Sequence, residues 1–423
     1  MISRGRKTKN EAQAVLDIGS SKVVCLIGQA DPNMGVRILG SGFGVSSGLK
    51  SGAVVDIHAV EHGVRTAVEK AEREAGVAVQ SVAVNVAVRS LRSEHLKVQT
   101  EFANGEVADR DLRRLVNSSL SEFAQPEQTI LHAIPLSWSV DGERNIDEPR
   151  GMYGSSLGVD MHFVMAGVGP LRNLAHCIER CHLSINSVSA SPYAAGLSVL
   201  TEDEKDLGVT LIDLGGGITS ASVFRDNSLV HVETLAVGGV TLTKDIARGL
   251  MTPPEAAERI KMIYGSALHG ADDDRESIPC PPMGAQDTLH HEPKSMLTGI
   301  IRSRIEEIFE ILRDRMNQKG LDAYSGRRIV LTGGGAQLNG VRELAEYVFN
   351  KRARIGRPHG VLGLDESLSS PDFAVATGLL KYQFLKEKDV ITGPPDLTGR
   401  RYMKKRYSGG SIGRSIQWLR ENF

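Results

Sequence analysis

The residues best equipped for chemistry fall in two short segments of one pattern. In the first, Asp17 ends an apolar run and is followed by Ile18-Gly19-Ser20-Ser21-Lys22, after which residues 23–27 are apolar again. In the second, Asp213 ends the apolar run 209–212 and is followed by Leu214-Gly215-Gly216-Gly217-Ile218-Thr219, then Ala221-Ser222-Val223-Phe224. A glycine-rich turn brings backbone N–H groups against phosphate oxygens with no Cβ in the way. Ser20, Ser21 and Thr219 add hydroxyl donors, and Lys22 supplies a point charge for a terminal phosphate. An aspartate does not meet phosphate directly, because both are anions. Its natural partner is Mg²⁺, held directly or through water. Asp17 and Asp213 therefore fit as metal-shell residues on opposite sides of one nucleotide. A third turn, Gly333-Gly334-Gly335, follows the apolar run 329–331. One such turn alone is an ordinary β-turn; three in matching context point to phosphate. The spacing is not that of a Walker A loop. Gly40, Gly42 and Gly44 do not make a dinucleotide fingerprint either, and they sit in a strand-like context.

These turns need strands to hold them. Apolar strand, Asp, turn, strand occurs once in each half of the chain, which predicts two similar lobes; the period is too long for a solenoid. Between the two copies, Asp56 is a natural N-cap for a helix running past Glu74, and 77–88 alternates as a strand does. Residues 84–168 read as an inserted small α+β subdomain, with a helix near 109–123 and strands near 129–140 and 161–168. Helices are expected at 170–182, 255–264, 297–316 and 371–385. Residues 270–293 read as a polar loop, and 386–410, with Pro394, Pro395, Gly409 and Gly410, as a flexible linker.

Composition sets the class. The chain has 423 residues, 41% hydrophobic and 24% charged, with 50 Lys+Arg against 51 Asp+Glu. That is an ordinary globular balance over two or three domains, and a net charge of −1 argues against a nucleic-acid partner. The basic residues cluster at the ends: Arg4, Arg6, Lys7 and Lys9 in a basic N-terminal extension (1–11), and seven cations from Arg400 onward against Glu421. Four cysteines are too few for a disulfide scaffold. Cys177 and Cys181 with His176 and His182 read as one buried helical face before they read as a metal site, and His290-His291 as solvated. No signal peptide and no membrane-spanning run is visible, which places the chain in the cytoplasm, on a membrane at most.

Together these motifs resemble the actin-like ATPase superfamily. Asp17 to Lys22 is similar to its first phosphate motif, Asp213 to Thr219 to its second, and 330–336, ending in Ala336, to its adenosine motif. Residues 189–200 and 371–381 resemble the two helical connections at the interdomain hinge. The helix bearing Glu258 and Lys261 resembles the one whose side chains approach the adenosine ribose. The resemblance implies an α/β, actin-like two-lobed fold, duplicated RNase H-like cores around an ATP cleft, with ATP and Mg²⁺ as cofactors. Within the superfamily the match is closest to the FtsA family of bacterial cell division proteins. The insertion replaces the usual actin subdomain, the 2B-like region is short, and the tail is distinctive. The implied subdomains are 1A (12–83 plus 169–206), 1C (84–168), 2A (207–253 plus 325–385) and 2B (254–324). The insertion is implied to serve self-assembly and contacts with later division proteins.

The tail, 411–423, also has a physical reading. Ile412, Ile416, Leu419 and Phe423 recur at i, i+4, i+7 and i+11, one stripe of a helix, and Trp418 suits the headgroup boundary. Arg414 and Arg420 can meet anionic lipid, and Arg400, Arg401, Lys404, Lys405 and Arg406 lie just upstream. A short helix with a narrow apolar face binds reversibly at the interface. By resemblance, Arg304 is the FtsZ-contacting arginine, assisted by Lys294, and the partner is the acidic C-terminal peptide of FtsZ. Taken alone, Arg302, Arg304, Glu306 and Glu307 read as a solvated, self-paired helix face.

One expected residue is missing. Actin-like hydrolases place Gln or Glu in the first connection to orient the attacking water, and Ser191 stands near that place here. Tight ATP binding with slow or negligible turnover is the expectation, with ATP acting as a conformational ligand. The role that follows is a tether of FtsZ filaments at the cytoplasmic face of the inner membrane, at the division septum. The competing readings are a small-molecule kinase of the superfamily, which needs a general-base Asp that does not stand out, and a PilM-like pilus adaptor, which needs no lipid helix of its own.

Overall fold

In the computed structural model, residues 12–32, 35–122, 127–284, 288–384 and 389–391 are described. The basic extension and the tail residues Ile412, Arg414, Ile416, Trp418, Leu419, Arg420 and Phe423 lie outside them, as does most of the expected linker.

The first lobe is built from β1 (Gln13–Ile18), β2 (Lys22–Asp31), β3 (Gly35–Val45), the small hairpin β4 (Leu49–Lys50) and β5 (Ala53–Val54), α1 (Ile57–Ala75) and β6 (Ser81–Val86). Then comes the insertion: β7 (Arg92–Glu106), α2 (Asp109–Glu122), β8 (Gln128–Val140), β9 (Glu143–Ile146) and β10 (Tyr153–Gly167). The chain returns through α3 (Val168–Arg180), β11 (Ser184–Ala190), α4 (Ser191–Val199) and α5 (Glu202–Leu207). The second lobe holds β12 (Val209–Leu214), β13 (Thr219–Arg225), β14 (Ser228–Leu235), α6 (Gly239–Gly249), α7 (Pro254–Tyr264), β15 (Ser277–Cys280), β16 (His290–Pro293), α8 (Lys294–Gln318), β17 (Arg328–Thr332), α9 (Val341–Phe349), β18 (Arg352–Ile355) and α10 (Ala374–Phe384).

The two lobe sheets share one topology. The first runs β3-β2-β1-β6-β11 and the second β14-β13-β12-β17-β18. In each, three antiparallel strands lead into two parallel ones. The strands bearing Asp17 and Asp213 are the central strands of their sheets. Parallel neighbours need helical crossovers, and those helices cover the sheets.

Gly40, Gly42 and Gly44 serve packing. They lie on β3 under α1, and a Cβ at Gly42 would fall 1.9 Å from the Ala67 carbonyl oxygen, one at Gly44 2.2 Å from that of Gly63. Glycine lets the helix backbone rest directly on the strand. That buries the α1 stripe Val60, Val64, Ala67, Val68 and Ala71, at roughly 1.5–3 kcal/mol for each large aliphatic side chain. Asp56 caps α1 as expected, its Oδ1 accepting from the Ala59 N–H at 3.0 Å.

The insertion is a four-stranded antiparallel sheet, β7-β10-β8-β9, with α2 packed through Leu112, Leu115 and Val116 onto Trp138, Met161 and Phe163. Where the sequence offered only mixed character, β7 is a 15-residue edge strand. Its outward positions Arg92, Glu94, Lys97, Gln99 and Glu101 are exposed, which hides the apolar alternation. The expected loop 270–293 contains the paired β15 and β16. His290 lies there, its ring nitrogen 2.9 Å from the Leu250 carbonyl oxygen.

The lobes meet through α4 and α10, which cross in backbone contact: a Cβ at Gly378 would lie 1.7 Å from the Ala194 carbonyl oxygen. Within the stretch read as linker, residues 389–391 are docked on the insertion, Val390 N–H donating to Ala133 O at 2.9 Å. Buried carboxylate bonds at Asp389 hold them there, a signal that composition does not carry.

Candidate functional site

The two aspartate-bearing turns have the same geometry. Gly19 N–H donates to Lys22 O at 3.0 Å, and Gly215 N–H donates to Ile218 O at 3.1 Å. Asp17 faces Val24 across its hairpin, and Asp213 faces Ser220 across the other. The β1–β2 and β12–β13 antiparallel pairs thus deliver both carboxylates to the same end of their sheets.

The turns then touch across the cleft. A Cβ at Gly217 would lie 2.4 Å from Ser20 Oγ and 3.2 Å from Ser51 N, and one at Gly216 would lie 3.3 Å from Ser21 Oγ. Ser51 belongs to the β4–β5 hairpin of the first lobe, so that hairpin reaches the second lobe's turn. Gly333, at φ +82°, lies on Asp213: a Cβ there would be 2.2 Å from Asp213 Oδ1. Its N–H donates to Pro371 O. Gly335 rests on Leu214, whereas Gly334 has nothing closer than Asp372 Cβ at 3.9 Å. Ala336 is buried in the short 3-10 turn Gly334–Gln337.

Burial governs the electrostatics. It pushes the Asp17 carboxyl up to about 7; the Lys22 ammonium works against this and the Asp213 carboxylate adds to it. Burial likewise pushes Asp213 up to about 6. Two buried carboxylates in one cleft, of which only Asp17 is opposed by a cation, are an incomplete charge set, and the donor chemistry fits a hard divalent cation. Among the described residues no group of three or more His, Cys, Asp or Glu is placed to hold a metal by itself, so such a cation would complete its shell from water and phosphate.

Glu258 and Lys261 are assembled with the second turn. Lys261 Nζ lies 2.7 Å from Glu258 Oε2, 2.9 Å from Thr243 Oγ1 and 3.4 Å from Gly239 O. The start of α6 is pinned there, Gly239 N–H donating to Gly215 O and Val240 N–H to Gly216 O. The Thr219 hydroxyl, expected to face phosphate, is instead buried and donates to Val237 O at 2.9 Å. Its inward position on β13 turns it away from the turn.

Two residues of the site carry no local sequence signal. Asn85, at the end of β6, accepts Ile18 N–H at 2.8 Å and donates to Ser191 Oγ at 3.1 Å. It ties the first turn to the first connection. Asp372, ahead of α10, pairs with Lys22 and accepts from Gln337 Nε2 at 3.3 Å. A buried Asn at a strand end and a lone Asp before a helix have no local pattern that marks them.

Arg304 and Lys294 both lie on α8, ten positions apart, about 15 Å along the axis. Each is already paired: Arg304 Nε with Asp245 Oδ2 at 2.6 Å and its Nη1 with Glu307, Lys294 with Glu276 at 2.7 Å and Asp273 at 3.5 Å. Cys177 is buried, and the Cys181 thiol lies 3.4 Å from its carbonyl oxygen, as one helical face predicts. No helix among the described residues is long and apolar enough to cross a membrane. A separate cavity of about 530 Å³ opens between the insertion root and the second lobe, near Arg89, Arg92 and Glu233; none of the turn residues lines it.

Known proteins resemble this chain in sequence and in fold. A family model described as Cell division protein FtsA matches residues 210–378, and one described as SHS2 domain inserted in FTSA matches residues 89–165. The Cell division protein FtsA of Rhizobium meliloti (strain 1021) is 39% identical over 427 aligned residues, covering 98% of this chain and 96% of that one. That of Escherichia coli (strain K12) is 31% identical, covering 96% and 97%. Among solved structures, the PilM-PilN type IV pilus biogenesis complex aligns at a TM-score of 0.63 and 18% identity, covering 90% of this chain and 100% of that one. MreB5 of Spiroplasma citri bound to ADP aligns at 0.52 and 12%, covering 88% and 95%. Identities that low speak for the fold, which is actin-like with an inserted SHS2 domain. Sequence likeness across nearly the full length of both partners speaks for more: the chain belongs to the FtsA family of cell division proteins.

Proposed function

We propose that this protein binds Mg²⁺·ATP between its lobes and, in that state, assembles on the inner face of the cytoplasmic membrane to tether FtsZ filaments at the division septum. The observation that carries the nucleotide part is the pair of matched turns, with Asp17 and Asp213 buried and Gly216 and Gly217 against Ser21 and Ser20. Backbone N–H groups of Gly19 to Ser21 and Gly215 to Gly217, with Lys22, take the phosphates. Asp17 and Asp213 hold Mg²⁺ through water, and the cation neutralises phosphate charge. Gly333 to Ala336 take the adenosine, and Glu258 and Lys261 the ribose. Turnover is slow, because Ser191 is a poor base and its hydroxyl is engaged by Asn85. ATP then acts by favouring the closed, polymer-competent arrangement of the lobes.

The division role rests on the family and on the tail pattern. The stripe Ile412, Ile416, Leu419 and Phe423 with Trp418, Arg414 and Arg420 gives reversible attachment to anionic lipid. Arg304 and Lys294 receive the acidic FtsZ C-terminal peptide, exchanging their own acidic partners for it. The insertion serves filament contacts and later division proteins. Flotation with anionic liposomes and ATP tests this, comparing the full chain with one ending at Gly410. Flotation of the full chain alone, carrying FtsZ with it, is the expected outcome. A full chain that does not float, or floats without FtsZ, overturns the tether.

A further inference from the structure

Lys22 is the only cation in the three turns, and it is not waiting free. Its ammonium is paired with Asp372 Oδ2 and lies 3.3 Å from the centre of the Phe373 ring. Phe373 is itself braced edge-on by Phe43, ring centres 5.2 Å apart. Lys22 belongs to the first lobe, whereas Asp372 sits at the junction of the third turn and α10. There Gly333 N–H and Thr332 Oγ1 both donate to Pro371 O, and Gln337 Nε2 donates to Asp372 Oδ1. Burial opposes the charge on Asp372, but Lys22 and Ser370 outweigh it and hold the carboxyl below its ordinary value. It is ionised, aimed and fixed by its own neighbours.

We infer that Asp372 is an internal competitor for the nucleotide's phosphate tail, a carboxylate that occupies Lys22 until phosphate displaces it. This rests on the nucleotide reading above. A terminal phosphate carries up to two negative charges, Asp372 one, and both require the same ammonium. Phosphate arriving at Lys22 also repels the carboxylate it replaces, so the exchange runs nearly to completion once it begins. The cost appears in affinity: a latch closed nine-tenths of the time weakens apparent binding about tenfold. Because Asp372 lies two residues before the start of α10, the exchange also acts on the N-terminal end of the helix that joins the lobes.

The test is calorimetric titration of the full chain with Mg²⁺·ATP, ADP and adenosine, for the wild type, Asp372→Asn, Lys22→Ala and the double variant. Asp372→Asn is close to isosteric, and its melting curve checks the fold. The expected result is that Asp372→Asn binds ATP about threefold to tenfold more tightly, gains nothing for adenosine, and gains clearly less in the Lys22→Ala background, where only the direct repulsion of phosphate by the carboxylate is relieved. If the wild type binds ATP and Asp372→Asn binds it no better, Asp372 positions Lys22 and the competition is overturned. An equal gain for adenosine, or a gain undiminished by Lys22→Ala, overturns it too. If no form binds any of the three, the nucleotide reading itself fails and the competitor with it.

Discussion

His132, on the inserted sheet, and Asp389, in the segment after the last helix, are bonded at 2.6 Å with neither side chain more than 2% exposed. His132 Nε2 accepts the Ala190 N–H at 2.9 Å, which leaves the proton on Nδ1 for Asp389. Asp389 also accepts from Tyr382 Oη at 2.8 Å and from the Ala133 and Ile391 N–H groups at 3.0 Å each. The bond therefore joins the insertion, the end of α10 and the root of the C-terminal segment at one point. Whatever that segment attaches to, its point of departure is fixed on the insertion.

Loss of this clamp has a readable cost. Asp389→Ala leaves the buried His132 Nδ1–H and Ala133 N–H without partners, at about 1–3 kcal/mol. The expected outcome is a lower melting temperature, faster hydrogen exchange at residues 132–133, and proteolysis just after α10. Asp389→Asn, which keeps an acceptor, should lose less.

The turn glycines separate by geometry. Gly217→Ala places a methyl 2.4 Å from Ser20 Oγ, and Gly333→Ala combines a φ of +82° with a clash on Asp213. Both should weaken ATP binding tenfold or more, roughly 1.4 kcal/mol or above. Gly334→Ala makes only an ordinary contact, with Asp372 Cβ at 3.9 Å, and should bind ATP within about twofold of the wild type, within roughly 0.4 kcal/mol. Equilibrium titration of the three variants checks the order.

The aspartate pair predicts a pH dependence with a definite sign. Burial lifts Asp17 to about 7 and Asp213 to about 6, against an ordinary value of 3.8. Between the ordinary value and those raised values the folded chain holds protons that the unfolded chain has released, so the pair destabilises the nucleotide-free fold progressively as pH rises from about 4 to about 7. Asp213→Asn should therefore stabilise the nucleotide-free protein at pH 8 by about 1–3 kcal/mol and do little at pH 4. In the wild type, Mg²⁺·ATP binding near pH 6 should release protons, seen as a dependence of the calorimetric heat on buffer ionisation enthalpy.

Arg304 predicts a split between stability and binding. Its Asp245 and Glu307 pairs are partly exposed, so Arg304→Ala should cost no more than about 1 kcal/mol in stability. Anisotropy with a labelled FtsZ C-terminal peptide should show affinity falling about tenfold or more. Asp245→Asn, which frees the Nε hydrogen of Arg304, should raise it.

Much of the fold was legible because its signals are local. A strand–Asp–turn–strand unit is recognisable from ten residues, and its recurrence predicted two lobes whose sheets indeed share one strand order. The helix α1 and its Asp56 cap were equally plain. Elements with no local signature escaped: β7 shows water a row of charges along its edge, and β15–β16 lie in a proline-rich stretch that reads as loop. Within the site, the side chains that sequence spacing brought together are those carried by the turns themselves.

The sequence by itself determined the chemistry on offer: which strands end in aspartate, which turns can be approached closely, and where the one turn cation stands. Only the tertiary structure decided how those groups are spent. Thr219 donates its hydroxyl hydrogen bond to Val237 O, Ser191 is engaged by Asn85, Lys22 is taken by Asp372, and Arg304 by Asp245. The partners lie 18 to 350 positions away along the chain. A hydrogen bond or ion pair depends on a few ångströms in space, and chain separation says nothing about that distance until the lobes have folded and met.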